Sequence, residues 1–273
     1  MNYGKGITEI SFMPIVQEQR VHIEPSRERM GALAASHVAS EIRSRLRSQD
    51  HVRIIFAAAP SQSELLDSLA NESDLDWKRV EAFHMDEYIG LPEGASQSFR
   101  VWLRRHLFDR VPLGRVELIE PGTAPEQCAA KYSAALSSEP IDIVCMGIGV
   151  NGHLAFNDPP ADFNDSADVK IVKLDNVSRQ QQVDEGLFGT FVEVPTHAIT
   201  LTIPRLLREG KIFCCAPGSL KMKAVTEALE GPLTPNVPAS ILREQPNCQI
   251  YLDYESAAGL RQTIADARSA EEN

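Results

Sequence analysis

The sequence predicts an α/β fold of Rossmann-like type: a single doubly wound, mostly parallel sheet with helices on both faces. Three observations predict it. Short apolar runs alternate with amphipathic stretches, as expected of strands covered by helices. Residues 141–146, IDIVCM, are almost unbroken in hydrophobicity, which makes that strand central and buried on both faces. No repeat, low-complexity tract or linker interrupts the order, so one domain over 1–273 is the simplest division, with residues 1–25 as an N-terminal extension.

In chain order, residues 23–50 read as a long helix, with Met30, Leu33, Ala34, His37 and Val38 spaced for one buried face. Residues 52–57 are a buried strand. Ser61 and Glu64 then have the spacing of a capping box, opening the next helix. A strand over 80–83 ends in Met85-Asp86-Glu87-Tyr88, followed by a helix over 98–111, a strand over 116–119 and a helix over 125–136. Beyond the central strand lie strands near 169–174, 198–203 and 212–216. A helix over 219–229, a strand over 249–252 and a helix over 256–267 complete the pattern.

Composition narrows the function. The chain is 43% hydrophobic and 24% charged, ordinary for a globular protein. A net charge of -11 disfavours nucleic acid as a partner. It still permits an anionic substrate, because a few local cations decide a pocket's potential. No apolar run is long enough for a bilayer, and the N-terminus lacks the basic-then-apolar order of a signal peptide, so a cytoplasmic protein without membrane partners is expected. The cysteines Cys128, Cys145, Cys214, Cys215 and Cys248 show no paired metal spacing. An odd, scattered set reads as reduced thiols, with Cys214 and Cys215 as core packing.

Ligands of open α/β sheets bind beyond the carboxyl ends of the strands. That rule selects three places. After the central strand, the loop 147–160, GIGVNGHLAFNDPP, has three glycines in six positions. It also carries His153, an imidazole suited to proton transfer near neutrality, and Asp158, able to orient it if the loop folds back. A lone histidine in a turn is more often structural, but the glycines, the strand end and the nearby acid reverse the odds. Second, Asp86 and Glu87 place two carboxylates at another strand end, where repulsion and burial raise pKa values; a solvated acidic turn is the plainer alternative. Third, Pro217-Gly218-Ser219-Leu220-Lys221 leads a strand into a helix and suits an anion as well as it suits ordinary capping.

Together these segments resemble the glucosamine-6-phosphate deaminase/isomerase family, from about Arg53 to Leu260. The resemblance is carried by FHMDEYIGLP, GIGVNGHLAFNDPP, VPTHAITLTIPRLL and GSLK in that order. It implies that Asp86 shuttles a proton between C2 and C1 of an open-chain sugar phosphate. It also implies that His153 assists ring opening, held by neighbouring carboxylates, and that a 2-amino sugar yields ammonia and a ketose phosphate. The family uses no metal or organic cofactor. By motif position Lys221 and Arg179 resemble its phosphate ligands, residues 162–191 its mobile lid, and members are often homo-oligomers. The expected site therefore takes Asp86, His153, Asp158 and Asn151 as catalytic. Glu87, Ser61, Gly149, Gly152, Arg179, Ser219 and Lys221 are expected to bind substrate.

This chain departs from the pattern at Asn151, where the family usually has aspartate, and at Asp158, where it has glutamate. The family's Thr-Gly-Gly-Thr type turn is Ala58-Ala59-Pro60-Ser61 here. Two other functions fit parts of the sequence. One is lactone hydrolysis, as in the related 6-phosphogluconolactonases, with His153 activating water. The other is a non-catalytic sugar-phosphate sensor.

Overall fold

The computed structural model describes residues 20–208 and 210–260. Its centre is a seven-stranded sheet built from β1 (Val21–Glu24), β2 (Val52–Phe56), β3 (Val80–His84), β5 (Arg115–Val116), β6 (Ile143–Met146), β9 (Lys211–Cys215) and β10 (Cys248–Asp253). The strand order is β1-β10-β9-β6-β2-β3-β5 and every neighbouring pair is parallel. The expected fold class is therefore the observed one.

Side-chain alternation along the strands divides the interior into two layers. Ile54 and Phe56 of β2, with Ile143 and Cys145 of β6, pack under α1 (Arg27–Leu46), α2 (Ser63–Ala70) and α3 (Phe99–Leu103). Ile55, Val144 and Met146 face the opposite layer, formed by α4 (Pro125–Leu136), α6 (Ile203–Leu207), α7 (Met222–Glu230) and α8 (Tyr254–Ala257). Cys214 and Cys215 are both fully buried but belong to opposite layers, so adjacent thiols pack on opposite faces of one strand. Gly31 lets α1 approach α2 closely: a Cβ there would stand 2.4 Å from the Cβ of Glu64.

Several elements differ from expectation. The helix expected over 23–50 begins only at Arg27, after Ser26, whose side chain accepts the Arg29 N–H. Val21–Glu24, inside the expected extension, is an edge strand in register with β10. Ser61 and Glu64 do not form a capping box. The α-helix starts at Ser63 after a tight 3-10 turn, Pro60–Gln62, and the Glu64 carboxylate instead binds Arg27 at 2.9 Å. The helix expected over 98–111 is α3 followed by a wide π turn, Arg104–Phe108. The strand expected over 116–119 pairs only at Arg115–Val116. Where a helix was expected over 256–267, the helix found is Tyr254–Ala257, and the expected residues past 260 lie outside the described ones.

The largest addition is a second sheet. β4 (Asp86–Tyr88), β8 (His197–Leu201) and β7 (Val169–Lys173) form three antiparallel strands in the order β4-β8-β7. Asp86 thus stands in a strand of its own, opposite Thr200. The two sheets meet at His84–Met85, where His84 is completely buried. Its Nε2 accepts the Ile119 N–H at 2.7 Å and its carbonyl accepts the Tyr132 hydroxyl at 2.8 Å.

Burial, with Arg100 adding in the same direction, pushes the His84 imidazole down to about 3. Below its ordinary value the unfolded chain takes up a proton that the folded chain refuses. Stability therefore falls from about pH 6.5 downward, by roughly 1.4 kcal/mol per pH unit from this group. The ring carbons of His84 should keep their neutral NMR shifts at pH 5. A protonated ring there would contradict this account.

Candidate active site

Neighbouring strands β2 and β6 are where the sheet order turns, since the chain continues to β3 on one side and to β9 on the other. A crevice must open at such a switch point. A cavity of about 60 Å³ lies there, lined from four strand ends: Ala57–Ala59 and Ser61 after β2, Asp86 after β3, Gly147–Gly149 and His153 after β6, and Lys221 after β9. The fifth wall is α5 (Asn176–Asp184) and its end, which contribute Gln181, Gln182 and Glu185. The segment expected as a lid, 162–191, thus forms β7 and the helix that covers the cavity.

His153 is 8% exposed and its ring lies against the backbone of Gly149; a Cβ there would fall 2.2 Å from Nε2. On the other edge of the ring, Nδ1 is 2.8 Å from the Ser178 hydroxyl and 3.3 Å from Asp158. Ser178 donates to Asp158 Oδ1 at 2.5 Å, so the chain of bonds assigns the proton to Nδ1 and leaves Nε2 as the basic nitrogen. Burial acts upward on Asp158. The hydrogen bond and charge of His153, the Ser178 hydroxyl and the Asp175 N–H outweigh it and hold the carboxyl down at about 2. The loop does fold back as the spacing suggested.

Asn151 organises this loop and does not meet the cavity. Its Oδ1 accepts the His153 N–H at 3.1 Å, and its Nδ2 donates to Asp158 at 3.3 Å. An ionised aspartate here could not make that second bond. The structure therefore places Asn151 within the loop and not among the cavity-lining groups with which it was expected.

Asp86 and Glu87 divide their work by strand alternation. Asp86, 6% exposed, lines the cavity, and burial followed by the charge of Glu87 raises its pKa well above its ordinary value. Glu87 points the other way and is fully buried. It accepts the Ser98 hydroxyl at 2.7 Å and the N–H groups of Tyr88, Phe99 and Arg100, closing the start of α3. Glu87 is thus a helix-closing group in place of the expected substrate ligand.

The expected binding residues separate in the same way. Ser61 and Gly149 line the cavity, as does Lys221, whose Nζ donates to Glu185 at 3.0 Å. Gly152, at φ +81°, turns the loop toward Val237 and its carbonyl accepts the Ala239 N–H. Ser219 is exposed and its N–H donates to Glu255. Arg179 faces away: its guanidinium binds the carbonyls of Phe191 and Val194 and lies 4.1 Å over the Phe191 ring. Ser178, Gln181, Gln182, Glu185 and Gln62 were not anticipated. Only the polar run after Asp175 hinted at the first four, and nothing in the sequence hinted at Gln62. Among the described residues, no group of three or more His, Cys, Asp or Glu could hold a metal ion. No helix there is long and apolar enough to cross a membrane.

A buried carboxyl group and a histidine–carboxylate pair thus line one cavity at the carboxyl edge of a doubly wound sheet, the place where such folds bind small polar ligands. The model of the family described as glucosamine-6-phosphate isomerases/6-phosphogluconolactonase matches residues 25–251. The glucosamine-6-phosphate deaminase of Listeria monocytogenes serotype 4a is 34% identical over 228 residues, covering 83% of this chain and 95% of that protein. The Bacillus cereus (strain B4264) enzyme of the same name is 33% identical, covering 71% and 73%. A solved monomeric glucosamine-6-phosphate deaminase superposes with a TM-score of 0.81 at 23% identity, covering 88% of this chain and 99% of that one. The 6-phosphogluconolactonase of Trypanosoma brucei gives 0.73 at 18%, covering 92% and 100%. The chain belongs to the glucosamine-6-phosphate isomerase/6-phosphogluconolactonase family.

Two outcomes test this geometry. Gly149→Ala should displace the imidazole and lower turnover by roughly 10²-fold with little change in the thermal midpoint. Unchanged turnover would refute the packing. Because the Asp158 pKa is depressed, its contribution is complete above about pH 4 and lost as pH falls through about 2. Asp158→Asn should therefore cost about 2 kcal/mol in denaturant unfolding at neutral pH.

Proposed function

We propose that the protein is an isomerising deaminase of a 2-amino-hexose, glucosamine or a close relative of it with or without a 6-phosphate, releasing ammonia and leaving a ketose. The observation that carries this reading is the pairing, across one cavity, of a buried Asp86 with a His153 whose basic nitrogen is free. Ring opening needs a group that passes a proton between the anomeric hydroxyl and the ring oxygen, and His153 Nε2 is that group. Isomerisation then removes the proton from C2 and returns it to C1. Asp86 serves both steps, because burial makes its carboxyl hold a proton long enough to deliver it. The resulting C2 imine is hydrolysed by water, which supplies the ketone oxygen and frees ammonia. The names of the relatives from Listeria and Bacillus agree with this chemistry.

Ammonia and ketose, measured separately on 2-amino-hexoses and their 6-phosphates, test the proposal. Asp86→Asn should reduce both products by about 10²- to 10⁴-fold. A ketose without ammonia would leave isomerisation alone. Hydrolysis of a sugar-phosphate lactone with Asp86 dispensable would replace the proposal by a lactonase. The raised pKa also sets a sign: the base must be ionised, so kcat/KM should fall toward acid with a limb above about pH 4. A profile flat down to pH 4 would remove Asp86 from the role.

A further inference from the structure

The cavity wall around Lys221 lies at a strand-to-helix turn of the kind that suits an anion, but its donors are already engaged. Lys221 is 3% exposed, and its ammonium is already bound to Glu185. The backbone donors at the same turn are also taken by carboxylates. The Gly218 N–H donates to both oxygens of Asp253, at 3.0 and 2.9 Å, and the Ser219 N–H to Glu255 at 3.2 Å. Arg27, the neighbouring cation, binds Glu64 and the Pro60 carbonyl. Across the cavity, Pro60 supplies no N–H, and no glycine in Ala58-Ala59-Pro60-Ser61 allows close backbone approach. Carboxylates outnumber cations here before any ligand arrives.

Two buried atoms of the cavity-lining residues have no hydrogen-bond partner among the described residues, and both are acceptors: Glu185 Oε2 and Gln62 Oε1. The Gln62 amide cannot be turned round, because its Nε2 donates to the Cys215 carbonyl at 3.1 Å. Gln62 itself is 1% exposed. Buried acceptors require donors. A phosphate near neutral pH carries about -1.5 to -2 charges and offers chiefly acceptor oxygens. A hydroxyl brings the missing proton.

We infer that this end of the cavity reads a neutral, hydroxyl-bearing sugar terminus, so that the substrate is a 2-amino-hexose without a 6-phosphate, with Glu185 the residue that sets the choice. The inference rests on the proposed deaminase reaction and names its substrate class. Glu185 sits just past the end of α5, and its Oε1 also accepts from Gln181, whose own oxygen accepts the Val150 N–H of the glycine loop. The discriminating carboxylate is thereby tied to the loop that carries His153.

Ammonia release from free glucosamine and from glucosamine 6-phosphate, measured on the intact chain, decides the matter. The wild type should show at least a tenfold higher kcat/KM for the free sugar. Glu185→Gln, or Glu185→Ala should the first variant fold poorly, should move that ratio at least tenfold toward the phosphate by releasing Lys221. A wild type that prefers the 6-phosphate overturns the inference. If neither sugar yields ammonia, the deaminase reading falls, and calorimetry with inorganic phosphate judges the subsite separately. No binding by the wild type and binding by Glu185→Gln supports a phosphate-averse site. Equal phosphate affinity in the two proteins overturns it.

Discussion

Between β2 and β6 the chain leaves in opposite directions, so no crossover helix covers the ground between their carboxyl ends. That gap is the constraint on which the site depends. Four strand ends feed into it, and each delivers its side chain at a position that the sheet, a rigid element, determines. The cover comes from elsewhere: the small antiparallel sheet leads the chain out to α5 and back. Strand β4 belongs to both arrangements, following β3 directly yet pairing with β8. Asp86 is in this way held by the second sheet while it faces the crevice of the first.

The parallel sheet was readable because its strands are apolar runs with a turn signal at each end. Residues 125–136 and 212–216 needed no tertiary knowledge. Two strands of the second sheet were readable, near 169–174 and 198–203, but not their separation into a sheet with β4, which is three residues long and lies more than a hundred residues from its partner. Edge strand β1 was hidden for a related reason: VHIE is half polar and runs straight into a helix signal at Ser26. The capping-box spacing at Ser61 failed because Arg27, distant in sequence, claims Glu64.

In the site, the loop 147–160 and Asp86 were legible from residue type and strand position. Their neighbours were not. Nothing local distinguishes Asp86 from Glu87; only strand alternation, once the strand is known, sends one to the cavity and the other to the start of α3. Arg179 shows the reverse error. A cation at the right place in the chain is turned away, held by two carbonyls and the Phe191 ring. Ser178, invisible as a type, is the residue that lets the short Asp158 serve His153 through a hydroxyl.

That hydroxyl ties the covering helix to the group beneath it. Ser178 rides on α5, whereas His153 and Asp158 belong to the loop beneath it, and Asp158 also holds the α5 entry through the Asp175 N–H. One residue is thus at once a fastening of the roof and a partner of the imidazole, so a substitution that unseats α5 costs the histidine a hydrogen bond even when it touches neither the histidine nor the aspartate.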